Sequence, residues 1–252
     1  MGSAYEKTLS KVPQVTLVFW IIKIAATTLG ETAGDALSMS LDLGYLVSTA
    51  IFAALFLVAV TAQVVADRFH PFLYWATIIA STTVGTTMAD FADRSLGIGY
   101  AGGSVLLLAL LLASLFLWHR TLGSISVESV SSPKAEVFYW VTIMFSQTLG
   151  TALGDWTADT AGLGYTGAAA IFLAFLALVL VAYFATSLSR TALFWTAFIM
   201  TRPLGAVIGD FLDKPREVGG LALSRFTASD VLLVFIVACI LLFPQRPAAK
   251  AH

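Results

Sequence analysis

One short pattern occurs four times along the chain without a change in spacing. An aromatic residue and a tryptophan are followed by glycine 10 residues after the tryptophan, by aspartate 15 residues after it and by glycine 24 residues after it. The tryptophans are Trp20, Trp75, Trp140 and Trp195, and the aspartates are Asp35, Asp90, Asp155 and Asp210. A repeat this regular predicts four equivalent structural units.

The composition restricts where those units can fold. Of the 252 residues, 58% are hydrophobic and 12% are charged, against about 25% charged in soluble domains. The net charge of −1 lacks the basic surplus of a nucleic-acid-binding protein. A single cysteine, Cys239, excludes an internal disulfide framework. These values indicate an all-α polytopic membrane protein, and we expect residues 1–252 to form a single membrane domain.

Eight stretches have the length and apolar character of membrane-spanning helices, which need about 20 residues. They are Val12–Ala36, Gly44–Ala66, Pro71–Asp90, Ala101–Trp118, Glu136–Asp155, Thr166–Leu188, Ser189–Asp210 and Ala228–Phe243. With eight transmembrane helices both termini lie on one side, together with Lys7, Lys11, Arg68, Arg120, Lys134, Arg190, Arg246 and Lys250. The opposite side has Arg94, Lys214, Arg216 and Arg225. Eight basic residues against four predict that both termini are cytoplasmic.

Each copy of the pattern covers two of these helices. The approximate repeat boundaries are 12–68, 69–120, 134–188 and 189–245, with offsets of 55, 65 and 55 residues between equivalent positions. A two-helix hairpin returns to the side where it began, so the four repeats are parallel. We expect pseudo-fourfold packing of the repeats, with a pseudo-twofold arrangement of the two halves as the alternative.

The motifs TLGETAGD, TVGTTMAD, TLGTALGD and PLGAVIGD, followed by LGY, IGY and LGY in the first three copies, carry a family resemblance. Over nearly its whole length the chain resembles a family of bacterial integral membrane proteins made of tandem repeats of unknown function. The fourth copy departs from the pattern, with Pro203 in place of threonine. The resemblance implies a multi-pass protein of the bacterial inner (plasma) membrane and implies no activity.

Small and polar residues follow two neighbouring stripes on the odd-numbered helices. The small residues recur every fourth position, which lets membrane helices approach closely. The polar stripe contains Asp35, Asp90, Asp155, Asp210, Glu31, Thr27, Thr82, Thr86, Gln147, Thr151, Lys23 and Arg202. Polar groups in lipid are costly, so these stripes predict an inner set of odd helices and an outer set of even helices.

The charges on the polar stripe do not balance. Five acidic residues, Glu31 and the four repeat aspartates, accompany two bases, Lys23 and Arg202. Since unpaired buried carboxylates are unfavourable, we expect either protonation or a cation among them. We predict that the four aspartates form a metal or ion site and leave a bound divalent cation open as a cofactor. Since the first and last repeats of a closed ring are neighbours, we also predict that Arg202 lies within reach of Glu31 or Asp35.

These residues favour a membrane transporter or channel for a small hard cation, such as Mn²⁺, Mg²⁺, Na⁺ or H⁺. The oxygen-bearing residues of the stripe would bind or translocate the ion, and Lys23 and Arg202 would act as counter-charges or as a gate. The alternatives are a transporter of a small anion or zwitterion bound by Lys23 and Arg202, and a non-catalytic accessory protein. We expect no enzyme activity. The expected partners are the lipid bilayer and a small inorganic cation, without nucleic acid, and oligomerisation stays open.

Overall fold

A computed structural model describes residues 10–248, so Lys7 and Lys250 lie outside the described residues. Eight long helices account for most of this part of the chain, and an isolated antiparallel bridge joins Pro13 to Pro247. The helices are α1 (Leu17–Asp35), α2 (Gly44–Val65), α3 (Pro71–Asp90), α4 (Tyr100–Leu122), α5 (Pro133–Asp155), α6 (Gly164–Ala185), α7 (Arg190–Asp213) and α8 (Arg225–Leu242). The all-helical fold predicted from the sequence is therefore found.

The helices begin where side chains can satisfy free backbone N–H groups. Thr16 accepts from the N–H of Phe19 at the start of α1, and Ser132 accepts from Ala135 at the start of α5. Pro71 occupies the first turn of α3, where its missing N–H costs no intrahelical hydrogen bond. Local sequence thus accounts for these helix starts.

The odd-numbered helices end close to the repeat aspartate. In the first three repeats the α-helix ends at the aspartate and continues as one π-helical turn, at Ala36–Ser40, Phe91–Ser95 and Trp156–Thr160. In the fourth repeat, α7 instead continues to Asp213. The last glycine of each pattern, at Gly44, Gly99, Gly164 and Gly219, has a positive φ, which explains glycine at this position.

The four odd-numbered helices form a closed ring. Helices α1 and α5 each pack against both α3 and α7, and the even-numbered helices lie outside them. This is the inner and outer arrangement that the polar stripes predict. Each even helix packs mainly on the odd helix of the following repeat, with α8 on α1, so the chain ends complete the ring. The two helices of one repeat therefore do not pack together as a closed hairpin. Each outer helix instead covers the ring helix of the following repeat.

Glycines set the spacing of the ring helices. A Cβ atom added at Gly30, Gly85 or Gly205 would lie closer than 3.0 Å to an atom of the facing residue, which is Thr82, Gln147 or Thr27 respectively. Gly150 faces the side chain of Arg202 in the same way. Because Thr27, Thr82, Gln147 and Arg202 are equivalent positions, one contact recurs at every junction, including the junction of the last repeat with the first. The small-residue stripe therefore closes the ring.

The outer surface is apolar. Six helical segments are long and apolar enough to cross a membrane: Leu17–Ser40, Gly44–Val65, Tyr100–Leu122, Gly164–Ala185, Arg190–Asp213 and Arg225–Leu242. Large aliphatic side chains such as Leu57, Leu117 and Leu178 are exposed on the even helices. An exposed apolar surface of this extent suits a lipid environment and supports a membrane protein.

Candidate functional site

Equivalent residues of the four ring helices form successive buried layers, one helical turn apart. One end of the ring, here called the aromatic end, begins with Phe19, Tyr74, Tyr139 and Phe194, followed by Lys23, Ile78, Ile143 and Phe198. The next two layers are Thr27, Thr82, Gln147 and Arg202, and then Glu31, Thr86, Thr151 and Ala206. Asp35, Asp90, Asp155 and Asp210 form the last of these layers, at what is here called the aspartate end. The predicted site residues are therefore all buried within one ring.

Arg202 connects all four repeats at mid-depth. Its Nη2 lies 3.0 Å from Glu31 Oε2 and donates to Thr86 Oγ1 at 2.6 Å and to Thr151 Oγ1. The predicted pair between Arg202 and Glu31 is thus present. The guanidinium uses one nitrogen for these contacts, whereas its Nε and Nη1 are buried without a hydrogen-bond partner among the described residues.

The other polar groups at this depth make local contacts. Thr27 donates to the backbone oxygen of Ile24 at 2.8 Å, and Gln147 donates to Ser81 Oγ at 3.4 Å. Thr82 Oγ1 is buried and has no hydrogen-bond partner in the described part of the chain. The layer is therefore polar, and some of its buried polar atoms have no hydrogen-bond partner among the described residues.

Lys23 stands apart from the ion pairs. Its Nζ lies 4.1 Å from the centroid of the Phe198 ring, in a layer completed by Ile78 and Ile143. Within residues 10–248, no hydrogen-bond partner and no ion pair is found for this nitrogen. An internal salt-bridge set that includes Lys23 is therefore not present among the described residues, because the side chain packs on an aromatic face one turn away from Arg202 and two turns away from Glu31.

At the aspartate end, Lys214 joins the last repeat to the first. Its Nζ lies 3.1 Å from Asp210 Oδ1 and also bonds Asp35 Oδ2. Arg225 Nε lies 3.1 Å from Asp213 Oδ2 and 3.8 Å from Asp35 Oδ2. Oxygens of Asp35, Asp210 and Asp213 lie within 4.8 Å of one another, as in a potential metal site. These five residues are called the Lys214 junction.

Arg94 has the equivalent place between the second and third repeats. Its Nε lies 2.9 Å from Asp90 Oδ1, and its Nη2 lies 3.4 Å from Asp155 Oδ2. Arg94 and Lys214 each follow their own repeat aspartate by four residues. Asp90, Arg94 and Asp155 are called the Arg94 junction. The four repeat aspartates are thus bridged in pairs by two basic residues, and the twofold relation of the halves appears here.

The charge balance differs from the one that the stripes suggest. The predicted surplus of three acidic groups is wrong, because Arg94, Lys214 and Arg225 reach the carboxylates from beyond the stripes and Asp213 is buried with them. At the aspartate end, five carboxylates face three bases. The spacing of four residues from each aspartate is the signal in the sequence that identifies Arg94 and Lys214, since it places them on the same helical face.

The pKa of Lys214 reflects the acidic groups around it. Burial lowers this pKa, but the carboxylates of Asp210, Asp35 and Asp213 raise it by more, so it lies above the usual range for lysine. Lys214 is therefore a cation at neutral pH. A further cation entering this junction must compete with its ammonium group.

Four parallel repeats, a closed ring with charged layers and an apolar exterior define a tandem-repeat helical protein of membrane type. The chain belongs to the family described as Repeat of Unknown Function (DUF347), whose family model matches residues 18–69, 73–124, 138–189 and 193–244. Each match covers most of one ring helix and the whole of the outer helix that follows it. No curated protein and no solved structure matches the chain.

Proposed function

We propose that all eight long helices cross the membrane. Helices α3 and α5 are less apolar than the other six, but they alternate with α1 and α7 in the same ring. A ring helix that is covered by neighbours needs less apolar surface than one facing lipid. The count of basic residues favours a bacterial inner membrane location with the aromatic end and both termini on the cytoplasmic side.

The protein is a transporter for a small hard cation in this proposal. The observation that supports this proposal is the excess of carboxylates at the aspartate end, where five carboxylates face three bases. Two uncompensated negative charges among buried groups favour either protons or a metal cation. Carboxylate oxygens are the ligands that Mg²⁺, Mn²⁺ and Ca²⁺ prefer.

The packing of the axis favours a carrier over an open channel. Arg202 fills the middle of the ring with no exposed surface, and Tyr74 and Tyr139 close the aromatic end through a hydrogen bond between their hydroxyl oxygens at 2.6 Å. An ion bound at the aspartate end therefore needs a change of conformation to proceed. The ion pair of Arg202 and Glu31 has no net charge and would form a barrier to ions between the two ends of the ring.

Uptake into proteoliposomes tests this function. Purified protein is assayed with H⁺, Na⁺, Mg²⁺, Mn²⁺ and Ca²⁺, followed by Asp→Asn variants at Asp35, Asp90, Asp155 and Asp210. Each variant is expected to reduce uptake at least about tenfold, or about 1.4 kcal/mol, while remaining folded. Asp42→Asn is the matched control, since Asp42 is exposed at the same end. Full uptake in three of the four variants would show that the aspartates do not act together.

A second candidate is transport of a small anion or zwitterion. It is favoured by the buried donors that have no hydrogen-bond partner in the described chain, namely Lys23 Nζ and Arg202 Nε and Nη1. Such donors gain from an anionic ligand. Lys23→Ile separates the two candidates, since Ile78 and Ile143 occupy the equivalent positions. Loss of anion or amino-acid uptake with intact cation uptake would favour the second candidate.

A further inference from the structure

Three segments outside the long helices meet at the aromatic end. Residues 10–14, 124–130 and 245–248 form what is called the cap. Lys11 N donates to Val130 O at 2.9 Å, Gln14 N donates to Arg246 O at 2.8 Å, and Ala248 N donates to Val12 O at 2.8 Å. The cap thus links both described ends of the chain to the connection between the halves.

The cap covers the aromatic end of the ring. Val12, Val127 and Val130 are buried in the same apolar cluster as the ring aromatics. Two equivalent indoles bond equivalent cap positions: Trp75 Nε1 donates to Gln245 Oε1 at 3.4 Å, and Trp195 Nε1 donates to Ile125 O at 2.9 Å. The cap is therefore part of the seal at this end.

One ion pair, between the partly exposed Lys11 and the buried Glu136, fastens the cap to the helices. Lys11 Nζ lies 2.7 Å from Glu136 Oε1 and donates to the backbone oxygens of Gln63 at 2.9 Å and Val64 at 3.2 Å. Glu136 lies in the first turn of α5, and Gln63 and Val64 lie in the last turn of α2. A single side chain thus joins a cap segment to two helices.

The two ends of the ring differ in how they can open. Glycine contacts lock the helices together in the aspartate half, for example Gly30 against Thr82 and Gly209 against Glu31. Parting the helices there would separate close backbone contacts. At the aromatic end, a displaced cap and rotated aromatic side chains would expose the axis without parting the helices.

We infer that the cap is the gate of the transporter at the aromatic end and that the pair of Lys11 and Glu136 is its latch. This inference rests on the proposed transport function, because a closed carrier must open at this end to release its cargo. Displacing the cap leaves the buried carboxylate of Glu136 without its cationic partner. The free-energy cost of that loss keeps the gate closed for most of the time.

Thiol labelling tests the gate without measuring transport. Ser146 is buried behind the aromatic layers, and serine is close in size to cysteine. Ser146→Cys in a Cys239→Ala background is treated with a membrane-impermeant thiol reagent applied from the aromatic end. Lys11→Gln and Glu136→Gln are each expected to raise the labelling rate at least tenfold. Lys134→Gln is the matched control, since this lysine is exposed at the same end.

A reversible disulfide lock across the cap is expected to have the opposite effect on labelling. Pro13 and Pro247 form an antiparallel bridge flanked by hydrogen bonds, so their Cα atoms lie at a spacing that a disulfide can span. Oxidised Pro13→Cys/Pro247→Cys is expected to suppress labelling of Ser146→Cys, and a reductant is expected to restore it.

Labelling that responds to neither the latch variants nor the lock would overturn the gate. If labelling responds while no cation of the panel is taken up, the gate stands and the proposed cation transport fails. If uptake proceeds at full rate through the oxidised lock, the gate fails and the transport function stands.

Discussion

The Lys214 junction and the Arg94 junction occupy equivalent places but are built differently. Arg94 reaches two aspartates with two nitrogens of one planar group, which fixes the relative positions of Asp90 and Asp155. Lys214 offers one nitrogen to Asp35 and Asp210, and Arg225 with Asp213 completes the group. Each junction has one carboxylate more than it has bases.

If the proposed cation transport is correct, this difference predicts a structural role for one junction and an ion-binding role for the other. A guanidinium in a two-way contact is held by its planar geometry, whereas an ammonium group is a compact point charge whose place a metal cation could take without that geometry. Three carboxylates also lie close enough at the Lys214 junction to share an ion. Within the proposed cation transport, we therefore expect the ion to bind at the Lys214 junction, while the Arg94 junction is a clamp that holds Asp90 and Asp155 in the positions that the ring requires.

The largest effect should come from breaking the ion pair of Arg202 and Glu31, which lies at mid-depth in the ring. Arg202→Gln leaves Glu31 buried without its partner, and we expect a loss of about 3–5 kcal/mol in the free energy of unfolding. Thermal and denaturant unfolding in detergent measure the loss. The double variant Arg202→Gln/Glu31→Gln should recover most of it. If the double variant is as unstable as the single one, the ion pair is not the cause.

A smaller effect should distinguish the junctions directly. Arg94→Gln leaves Asp90 and Asp155 without a base and should cost about 1–2 kcal/mol, because Arg94 is partly exposed. Lys214→Gln should cost less, since Arg225 still lies 3.8 Å from Asp35. Unfolding of the two variants under one set of conditions gives the comparison. Equal losses, or a larger loss for Lys214→Gln, would remove the distinction between clamp and ion site.

The smallest effect should be the pH dependence of the stability that Lys214 contributes. The pKa of Lys214 is raised, so its contribution to stability is complete below the usual lysine pKa of about 10.4 and is lost as pH rises through the raised value. Because Lys214 keeps its proton over this range, the difference in unfolding free energy between wild type and Lys214→Gln should not shrink between pH 6 and pH 9. A difference that shrinks across this range would show that Lys214 releases its proton near neutral pH.

The repeat spacing was sufficient to predict the ring but not the outer helices. Glycine, threonine and aspartate at fixed intervals identify the inner faces of the odd helices and place Arg202 near Glu31. The even helices are mostly apolar, and a nearly uniform surface does not specify which neighbour it covers. Their few polar contacts, such as that of Ser114 with Thr142 of the following repeat, lie outside the repeated pattern, so the pattern gave no signal for this packing.

The charged junctions were missed for a different reason. Stripes counted back from each aspartate include Lys23 and Arg202 but stop short of Arg94 and Lys214, which lie one turn further along the chain. Long basic side chains reach back over that turn to the carboxylates. The position of Lys23 on Phe198 also depends on which helices are neighbours, which a count within one helix does not include.

The packing of α8 on α1 has a consequence for biosynthesis. Of the eight helices, α1 is made first, and α8, which covers its outer side, is made last. While the intervening helices are being inserted, the polar face of α1, with Lys23, Glu31 and Asp35, has no completed ring to enter. If all eight helices cross the membrane as proposed, we expect α1 to stay beside the insertion machinery or other protein until the fourth repeat is made, because the ring closes only when α7 and α8 reach α1.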